Sequence, residues 1–338
     1  MPWLFFSKLG NPALEELIRA LRGLGLAVEA VHPGLAWSPL SRAVPVLPVG
    51  PRWLAQLHGP LLEGLRPEVV VYSYPDQAPL ARRFPGASKV YYVQDDFRAY
   101  NYPDARLRAW EEELLPRIDL LVVVSEALAD SYRERYKFEG TILVAPLAVP
   151  ERFLPAACPP RLSRGGKVGV LGRISSRLRL GWLRQAVERL NWMRLELVGD
   201  VEASELMAED RYHLRYLQQC PRCRFYGWKP FAHLFERASQ LDLALLPYSP
   251  RSVNPCGSAY RFYIHLAYGA PMLATPGVAQ LEEYQPLVQI CRSSDEFLSR
   301  LDELARRGFD DGLHTQRWEA ARANTWSHRA RALLEALG

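Results

Sequence analysis

Unbroken apolar segments of strand length alternate with segments of helical length along almost the whole chain. Glu68–Tyr74 and Ile118–Val124, for example, are rich in Val, Leu and Tyr, and a helical pattern over Glu126–Tyr136 follows the second. Strands that are apolar on both faces are typical of parallel sheets covered by helices on both sides. The alternation therefore predicts an α/β fold with parallel sheets.

A linker-like stretch from Pro150 to Gly166 holds four prolines and two glycines, and the alternation restarts at Lys167. Two successive βαβ sets predict two Rossmann-like, doubly wound parallel-sheet domains facing a cleft. We expect an N-terminal domain over residues 1–152, a second domain over residues 165–315 and a terminal helix over residues 316–338. Ligands of such folds bind at the carboxyl ends of the strands, so the cleft is the expected site.

The segments that carry these predictions fall into two sets. The predicted strands are Trp3–Ser7, Ala27–His32, Glu68–Tyr74, Val90–Gln94, Ile118–Val124, Thr141–Ala145, Lys167–Leu171, Arg194–Val198, Cys223–Tyr226, Leu241–Leu246 and Met272–Ala274, with a further short apolar run at Val44–Val49. The predicted helices are Ala13–Leu24, Glu126–Tyr136, Gly181–Leu190, Glu202–Gln218, Phe231–Ala238, Ala259–Tyr268 and Trp318–Leu337.

The net charge of +5 comes from the second half of the chain, since residues 1–150 carry nearly equal numbers of acidic and basic groups. A mildly basic half suits an anionic ligand such as a nucleotide diphosphate. It lacks the dense Lys/Arg stripes of nucleic-acid-binding proteins, so we expect no nucleic-acid partner.

The five cysteines are an odd number scattered over a long chain, which argues against a disulfide framework. Cys220 and Cys223 have CxxC spacing, but no second pair that would complete a zinc or redox motif lies nearby. A tight turn that enters a strand is the better interpretation.

The first residues lack a basic region, and their apolar run is too short for a signal peptide. No stretch approaches the ~18 apolar residues of a membrane-spanning helix. We therefore expect a cytoplasmic protein, and the sequence leaves peripheral contact with the inner face of a membrane open.

Several short motifs follow the predicted strands. Those in the second half are Leu171-Gly172-Arg173-Ile174, Leu197-Val198-Gly199-Asp200, Phe225-Tyr226-Gly227-Trp228-Lys229-Pro230 and Leu266-Ala267-Tyr268-Gly269-Ala270-Pro271-Met272-Leu273-Ala274-Thr275. Those in the first half are Val123-Val124-Ser125-Glu126 and Pro146-Leu147-Ala148-Val149-Pro150. In this order and spacing, they resemble the motifs of retaining, family-4-like glycosyltransferases with the GT-B fold. Tyr92-Val93-Gln94-Asp95-Asp96-Phe97 resembles the members that build teichuronic-acid-like surface polysaccharides.

The resemblance implies a hexosyltransferase that moves a sugar from a nucleotide diphosphate sugar to a bacterial cell-surface polysaccharide or glycolipid precursor. It places the nucleotide-sugar donor in the second domain and the glycan or lipid-linked acceptor in the first. It also implies that the terminal helix crosses back to the first domain. We expect no cofactor and no metal.

The predicted donor-site residues follow the strands of the second half. They are Gly172, Arg173, Arg177, Gly199, Tyr226, Trp228, Gly257, Ser258 and Arg261. Pro255-Cys256-Gly257-Ser258 is predicted to open a helix whose free N–H groups hold the diphosphate, with Ser258 as N-cap. An ordinary capped helix without a ligand is the alternative.

Arg173 is the predicted catalytic cation, because a guanidinium binds phosphate oxygens and offsets the charge of the leaving nucleotide diphosphate, as a metal does in other transferases. The lysine that usually follows in the family is missing, and Arg177 or Arg179 could substitute for it. Arg261 is a further phosphate candidate. For Arg177, Arg179 and Arg261, a solvated surface charge is the alternative.

Tyr226 and Trp228 are predicted to flank the base of the nucleotide. Packing in the protein core is an equal alternative for Tyr226.

Retaining members place two glutamates eight residues apart around this helix, and one of them binds ribose hydroxyls. The matching positions here hold Cys256 and Ile264, which puts the nucleotide identity and the retaining stereochemistry in question.

In the first half, Asp95 and Asp96 end a predicted strand, where a carboxylate could bind acceptor hydroxyls or act as a general base. Capping of a turn is the alternative. The family's histidine at this point is replaced by Gln94, and Ser7–Asn11 is a candidate acceptor loop.

Two other functions remain open from the sequence. One is a nucleotide-sugar epimerase on the same fold, and the other is a catalytically degenerate binding or partner protein. A nicotinamide-dependent dehydrogenase is disfavoured, because no GxGxxG follows the first strand of either half.

Overall fold

The computed structural model describes residues 2–6, 11–31, 64–99, 104–160 and 165–338. The predicted run at Val44–Val49 and residues Ser7 to Gly10 of the candidate acceptor loop lie outside the described residues. The chain divides into two compact units, one of Met1–Leu147 with Trp326–Gly338 and one of Ala148–Thr325. Each unit is described by itself below.

The first unit contains a parallel sheet of six strands. They are β1 (Pro2–Phe6), β2 (Ala27–Val31), β3 (Val69–Tyr72), β4 (Ser88–Val93), β5 (Leu120–Val123) and β6 (Ile142–Val144), in the order β2-β1-β3-β4-β5-β6. Its helices are α1 (Pro12–Gly23), α2 (Asp104–Leu114), α3 (Glu126–Tyr136) and the chain's last helix, Trp326–Leu337. Every residue of β3 and β5 is buried, as expected for strands covered on both faces.

The second unit contains another parallel sheet of six strands. They are β7 (Lys167–Leu171), β8 (Arg194–Val198), β9 (Cys223–Phe225), β10 (Leu243–Leu246), β11 (Met272–Ala274) and β12 (Gln289–Ile290), in the order β12-β11-β10-β7-β8-β9. Its helices are α4 (Leu180–Arg189), α5 (Ala208–Gln219), α6 (Phe231–Ala238), α7 (Tyr260–Leu266), α8 (Ser294–Arg306) and α9 (His314–Ala323). The helix Trp326–Leu337 is therefore α10. The predicted pair of Rossmann-like parallel sheets is confirmed.

Local sequence signals explain where several helices begin. Asn11 caps α1 by accepting a hydrogen bond from the N–H of Leu14, and Pro12 supplies a first residue that needs no N–H partner. Ser125 caps α3 in the same way, and Ser293 caps α8. The start of β7 is fixed by the fully buried Asp242, whose carboxylate accepts the N–H groups of Gly166 and Lys167 at 2.9 Å each.

Three helix predictions are wrong in their extent. The predicted helix Trp318–Leu337 is two helices, α9 and α10, which are separated at Asn324 and Thr325. The main-chain carbonyl of Asn324 instead accepts the N–H of Val149, and Thr325 bridges to Val149. Asn324 thus ends α9 within the second unit, whereas α10 packs on α1 in the first.

The predicted helix Glu202–Gln218 begins only at Ala208, after a 3₁₀ turn over Ala203–Glu205, because Glu202 pairs through its N–H with the carbonyl of Ile174. The predicted helix Ala259–Tyr268 is shortened to α7, seven residues from Tyr260 to Leu266. Among the described residues, no helix has both the length and the apolar character that crossing a membrane requires.

Candidate functional site

The order of the second sheet reverses between β7 and β10, which lie side by side. In doubly wound sheets this reversal opens a crevice at the carboxyl ends of the strands, where ligands bind. All nine predicted donor-site residues lie on segments that follow these ends, after β7, β8, β9 or β10. The structure therefore places them along one edge of one sheet.

Gly172 and Gly199 follow β7 and β8 and lie against each other. Gly172 has a φ of 89°, and a Cβ atom on Gly199 would lie 2.2 Å from the carbonyl oxygen of Gly172. The N–H of Gly172 donates to the carbonyl of Val198 at 2.7 Å. Both glycines are thus required for the close approach of two loops, whether or not a ligand binds there.

Arg173 is exposed directly after Gly172. Its side chain is 59% exposed, and its Nη1 lies 4.0 Å from Oε2 of Glu202. An ion pair this long and this exposed holds the guanidinium only weakly. The side chain can therefore turn toward an anionic ligand at this edge.

Arg177 lies in a loop that is fastened to the segment after β10. The carbonyl of Arg177 accepts the N–H of Ser249 and the side-chain amide of Asn254, each at 2.8 Å. Asn254 is buried and donates to Ser249 as well, so one amide joins two loops at the carboxyl edge. Asn254 is not among the predicted site residues, and its position before Pro255 is the only signal for it in the sequence.

Arg179, the other candidate substitute for the missing lysine, is the N-cap residue of α4, and its Nη2 donates to the carbonyl of Pro276 at 3.4 Å. Its guanidinium also lies 5.0 Å from the ring centre of Trp182. Burial lowers the pKa of Arg179, and the charge of Arg251 lowers it further.

The predicted helix opening at Pro255–Ser258 is wrong. Asn254–Cys256 forms a 3₁₀ turn, α7 begins at Tyr260, and Ser258 is not its N-cap. The hydroxyl of Ser258 instead donates to Oε1 of the buried Gln280 at 2.8 Å, and the same oxygen accepts the N–H of Ala259 at 3.4 Å. A side chain from the 3₁₀ segment Ala279–Tyr284 therefore binds both Ser258 and Ala259, the two residues immediately before α7. Gly257 lies in extended backbone, and its N–H donates to Asn254 at 3.1 Å.

Arg261, in the first turn of α7, donates to two main-chain carbonyls. Its Nε binds the carbonyl of Leu171 and its Nη2 the carbonyl of Arg173. The guanidinium carbon lies 5.3 Å from the ring centre of the buried Tyr248. The side chain of Arg261 is half-buried, and its guanidinium is hydrogen-bonded to the main chain, unlike a freely solvated surface charge.

Tyr226 and Trp228 differ sharply in their surroundings. The hydroxyl of Tyr226 donates to the buried Glu196 at 3.2 Å, and the guanidinium of Arg237 lies 4.2 Å from its ring centre. Trp228, after Gly227 with a φ of 63°, is 65% exposed. The packing alternative thus describes Tyr226 well, whereas Trp228 presents an open aromatic face.

Cys256 and Ile264 are the residues at the two positions where the resemblance would place glutamates. Cys256 is half-buried, and Ile264 is 3% exposed within α7. Neither side chain supplies a carboxylate for sugar or ribose hydroxyls. One turn after Arg261 lies His265, which is fully buried, and burial together with the charge of Arg261 lowers its pKa to about 3.

In the first unit, the predicted acceptor residues follow β4. Asp96 accepts hydrogen bonds from the guanidinium and from the N–H of Arg98, so the capping alternative describes its role within the fold. Asp95 is half-buried and lies near Tyr74. Burial raises the pKa of Tyr74, a hydrogen bond from Asn11 lowers it, and the Asp95 carboxylate raises it.

Asn11 and Gln94 are joined across this edge of the first sheet. Nδ2 of Asn11 donates to Oε1 of Gln94 at 2.7 Å, and Oδ1 of Asn11 caps α1. Gln94 is therefore held by the N-cap residue of the first helix. Asn11, Tyr74, Gln94 and Asp95 form a polar group at the carboxyl ends of β1, β3 and β4.

The CxxC pair lies at the opposite end of the second sheet. The N–H of Cys223 donates to the carbonyl of Cys220 at 3.0 Å, and Cys223 begins β9. The predicted turn into a strand is confirmed. Burial and the neighbouring thiol of Cys220 raise the pKa of Cys223 to about 12. Within the described ranges, no three His, Cys, Asp or Glu side chains are grouped as metal ligands.

Comparisons with known proteins agree with this architecture. No family model and no curated protein matches the sequence. Sucrose-phosphate synthase from Thermosynechococcus elongatus is 15% identical, with a TM-score of 0.78 over 99% of this chain and 98% of that chain. HepE from Anabaena, solved with UDP and glucose, is 15% identical, with a TM-score of 0.75 over 100% of this chain and 99% of that one.

A third similar structure is the lipopolysaccharide outer core galactosyltransferase WaaB. It is 12% identical to this chain, with a TM-score of 0.70 over 100% of this chain and 99% of that one. These neighbours include glycosyltransferases, and the HepE structures hold UDP or UDP-glucose. At such low identity the likeness establishes the architecture alone: the chain has the GT-B fold.

Proposed function

We propose that the protein is a glycosyltransferase that moves a hexose from a nucleotide diphosphate sugar to a cell-surface polysaccharide or glycolipid precursor. The observation that carries this proposal is the edge of the second sheet, where the exposed Arg173 follows β7 and the exposed Trp228 follows β9. Two strand spacings of ~4.8 Å separate β7 from β9, or about 10 Å. In a nucleotide diphosphate the ribose lies between the base and the diphosphate. A distance of about 10 Å therefore suits a base on Trp228 and a diphosphate at Arg173.

In this proposal the donor binds to the second unit without a metal. Arg173 contacts the diphosphate and offsets the charge that develops as the nucleotide leaves, with Arg177 as the second cation. Gly172 and Gly199 allow the two loops that form this edge to lie against each other, and Gly257 and Ser258 complete the wall on the β10 side. Trp228 stacks on the base, and Tyr226 supports that loop.

The acceptor binds to the first unit in the same proposal. Asp95 accepts a hydrogen bond from an acceptor hydroxyl, and Asp96 holds the turn that carries it. We further propose retention of configuration at the transferred sugar, which NMR of the product's anomeric proton tests directly. The proposed site of action is the inner face of the bacterial membrane, with peripheral contact only.

A catalytically degenerate binding protein is the second candidate, and one observation favours it. Cys256 and the buried Ile264 replace both glutamates of the family pattern, which removes the carboxylates that hold donor hydroxyls. Such a protein would bind a nucleotide sugar and leave it intact.

A thermal-shift screen of UDP, GDP, ADP, dTDP and their common sugars, with and without EDTA, tests the donor site. We expect stabilisation by several degrees with one nucleotide, unchanged by EDTA. No shift with any nucleotide contradicts the donor site, and a shift that EDTA abolishes contradicts metal independence.

Turnover then separates the two candidates. With the nucleotide sugar that binds, we expect nucleotide release to depend on an added glycan or lipid-linked acceptor, and Arg173→Ala to slow it about 100-fold. Arg189→Ala is the matched control, because Arg189 is an exposed arginine at the far end of α4. Tight binding without release under any acceptor supports the degenerate candidate instead.

A further inference from the structure

The guanidinium of Arg261 forms hydrogen bonds with main-chain carbonyls at the end of β7. Nε binds the carbonyl of Leu171, and Nη2 binds the carbonyl of Arg173, so the two bonds flank Gly172. A guanidinium offers five N–H groups in one plane, which suits it to grip two carbonyls at once. Tyr248, whose pKa burial raises and the charge of Arg261 lowers, lies beside it.

The backbone of Gly172 is confined from two sides. A Cβ atom on Gly172 would lie 3.2 Å from Nε of Arg261, so the arginine fills the space that the glycine leaves. On the other side, the carbonyl of Gly172 lies where a Cβ atom on Gly199 would be. The turn that carries Arg173 is therefore packed between a side chain from α7 and the loop after β8.

Among the residues that the structure describes, the side chain of Arg173 has in contrast one polar contact that orients it, the 4.0 Å contact with Glu202. The direction in which a long exposed side chain leaves the protein is set by its own backbone. The bond from Arg261 to the carbonyl of Arg173 fixes the peptide plane immediately after that residue.

We propose that Arg261 is a positioning residue that orients Arg173 through the main chain, and that it does not itself bind the diphosphate. The proposal rests on the proposed donor site. In this proposal Arg261 supports the phosphate-binding Arg173 and is not a phosphate ligand. The effect of Arg261 on ligand binding is therefore expected to pass through Arg173.

A double-mutant cycle on UDP binding tests this route. Arg261→Met and Arg173→Ala are each expected to weaken UDP binding about tenfold in calorimetry. Because one residue acts through the other, the double variant is expected to bind about as weakly as Arg173→Ala. Additive losses, about 100-fold in the double variant, would overturn the proposal in favour of direct contact. Arg261→Lys, which keeps the charge and loses the fork, is expected to behave like Arg261→Met.

Hydrogen–deuterium exchange without any ligand gives a second, independent readout. The N–H groups of Gly172 and Ile174 donate to Val198 and Asp200 at 2.7 and 2.8 Å, and both are expected to exchange at least tenfold faster in Arg261→Met. Arg222→Met is the matched control, since Arg222 also donates to two main-chain carbonyls, those of Val187 and Leu190, at the other end of the sheet. It is expected to leave Gly172 and Ile174 protected.

The two readouts separate failure of this inference from failure of the proposed function. If the unaltered protein does not bind UDP, the proposed donor site is contradicted for that nucleotide. Hydrogen–deuterium exchange at Gly172 and Ile174 then tests the positioning role of Arg261 by itself. Unchanged exchange at Gly172 and Ile174 in Arg261→Met overturns the inference whatever UDP does.

Discussion

The guanidinium of Arg98 lies against the carboxylate of Asp96, with Nε 2.7 Å from Oδ1 and 2.9 Å from Oδ2. The N–H of Arg98 donates to Oδ1 as well, at 3.1 Å, and the N–H of Ala99 binds the carbonyl of Asp96. Asp96 thus organises the 3₁₀ turn Phe97–Ala99, whereas its neighbour Asp95 lies beside Tyr74. Two adjacent carboxylates at the same edge have different surroundings.

We therefore predict that Asp95→Asn and Asp96→Asn have different effects. Asp95→Asn is expected to lower kcat/KM for the acceptor about 100-fold with little change in stability, because it removes a charged hydroxyl acceptor. Asp96→Asn is expected to lower the free energy of unfolding by about 1 kcal/mol, since it weakens a partly exposed ion pair. Urea unfolding and acceptor kinetics check both variants, with Arg98→Met expected to resemble Asp96→Asn. Equal kinetic losses at the two positions would contradict this division.

Glu111 is a buried carboxylate that accepts hydrogen bonds from three tyrosine hydroxyls, those of Tyr91, Tyr132 and Tyr136. Burial raises the pKa of Glu111, and the three hydrogen bonds oppose the shift. Between about pH 4.5, where the carboxyl ionises in the unfolded chain, and the higher folded pKa, the Glu111 carboxyl therefore stays protonated in the folded protein. By linkage, the stability that this group contributes is present below that pH and is lost as the pH rises through the folded pKa.

We predict that Glu111→Gln reduces the fall in the free energy of unfolding on going from pH 4.5 towards neutral pH. Urea unfolding at several pH values, compared between the variant and the unaltered protein, measures the difference in slope. Glu134→Gln is the control, because Glu134 is exposed on α3. A variant whose slope equals that of the unaltered protein would show that Glu111 titrates normally.

His265 is expected to give the opposite pH dependence. It is fully buried in α7, and neither ring nitrogen has a hydrogen-bond partner among the described residues. Its folded pKa of about 3 lies below the usual 6.5, so the unfolded chain binds the extra proton first. Its contribution to stability is therefore present above pH 6.5 and is lost as the pH falls from 6.5 towards 3.

We predict that His265→Leu removes this acid-side loss and raises the free energy of unfolding at pH 7 by about 1 kcal/mol, because two unpaired buried nitrogens disappear. Unfolding curves at pH 4.5 and pH 7 check both statements, and the exposed His233→Leu serves as control. Destabilisation at pH 7 by more than about 2 kcal/mol would show that His265 has a partner or a packing role that leucine cannot replace.

The sequence predicts the strands well, because a strand buried on both faces has to be apolar throughout, as β5 and β10 are. It fails for α2, where Asp104–Leu114 buries only three residues and its charged pattern gives little periodicity. It also misses β12, a two-residue edge strand. The break between α9 and α10 was missed because it depends on Asn324 pairing with Val149, far away in the chain.

The candidate site shows the same limit. Glycines and arginines after strands are visible in a sequence, and the structure does place Gly172, Arg173 and Gly199 at one edge. The roles of Gln280 and Arg261 are not visible, because both side chains bind main-chain groups of other loops. Every residue except proline offers the same N–H and C=O groups, so the sequence alone gives no indication of which pair will meet.

Trp228 allows a test of base stacking that is separate from stability. Its side chain is 65% exposed, so Trp228→Ala is expected to change the free energy of unfolding by no more than about 0.5 kcal/mol. Loss of a stacked base is expected to weaken UDP binding about tenfold, measured by calorimetry. Tyr212→Ala is the control, because Tyr212 is an aromatic residue with 54% exposure whose ring already lies 4.8 Å from the guanidinium of Arg184. Equal UDP affinity in both variants would mean that the base does not rest on Trp228, and the turn after β9 would then lose its place in the donor site.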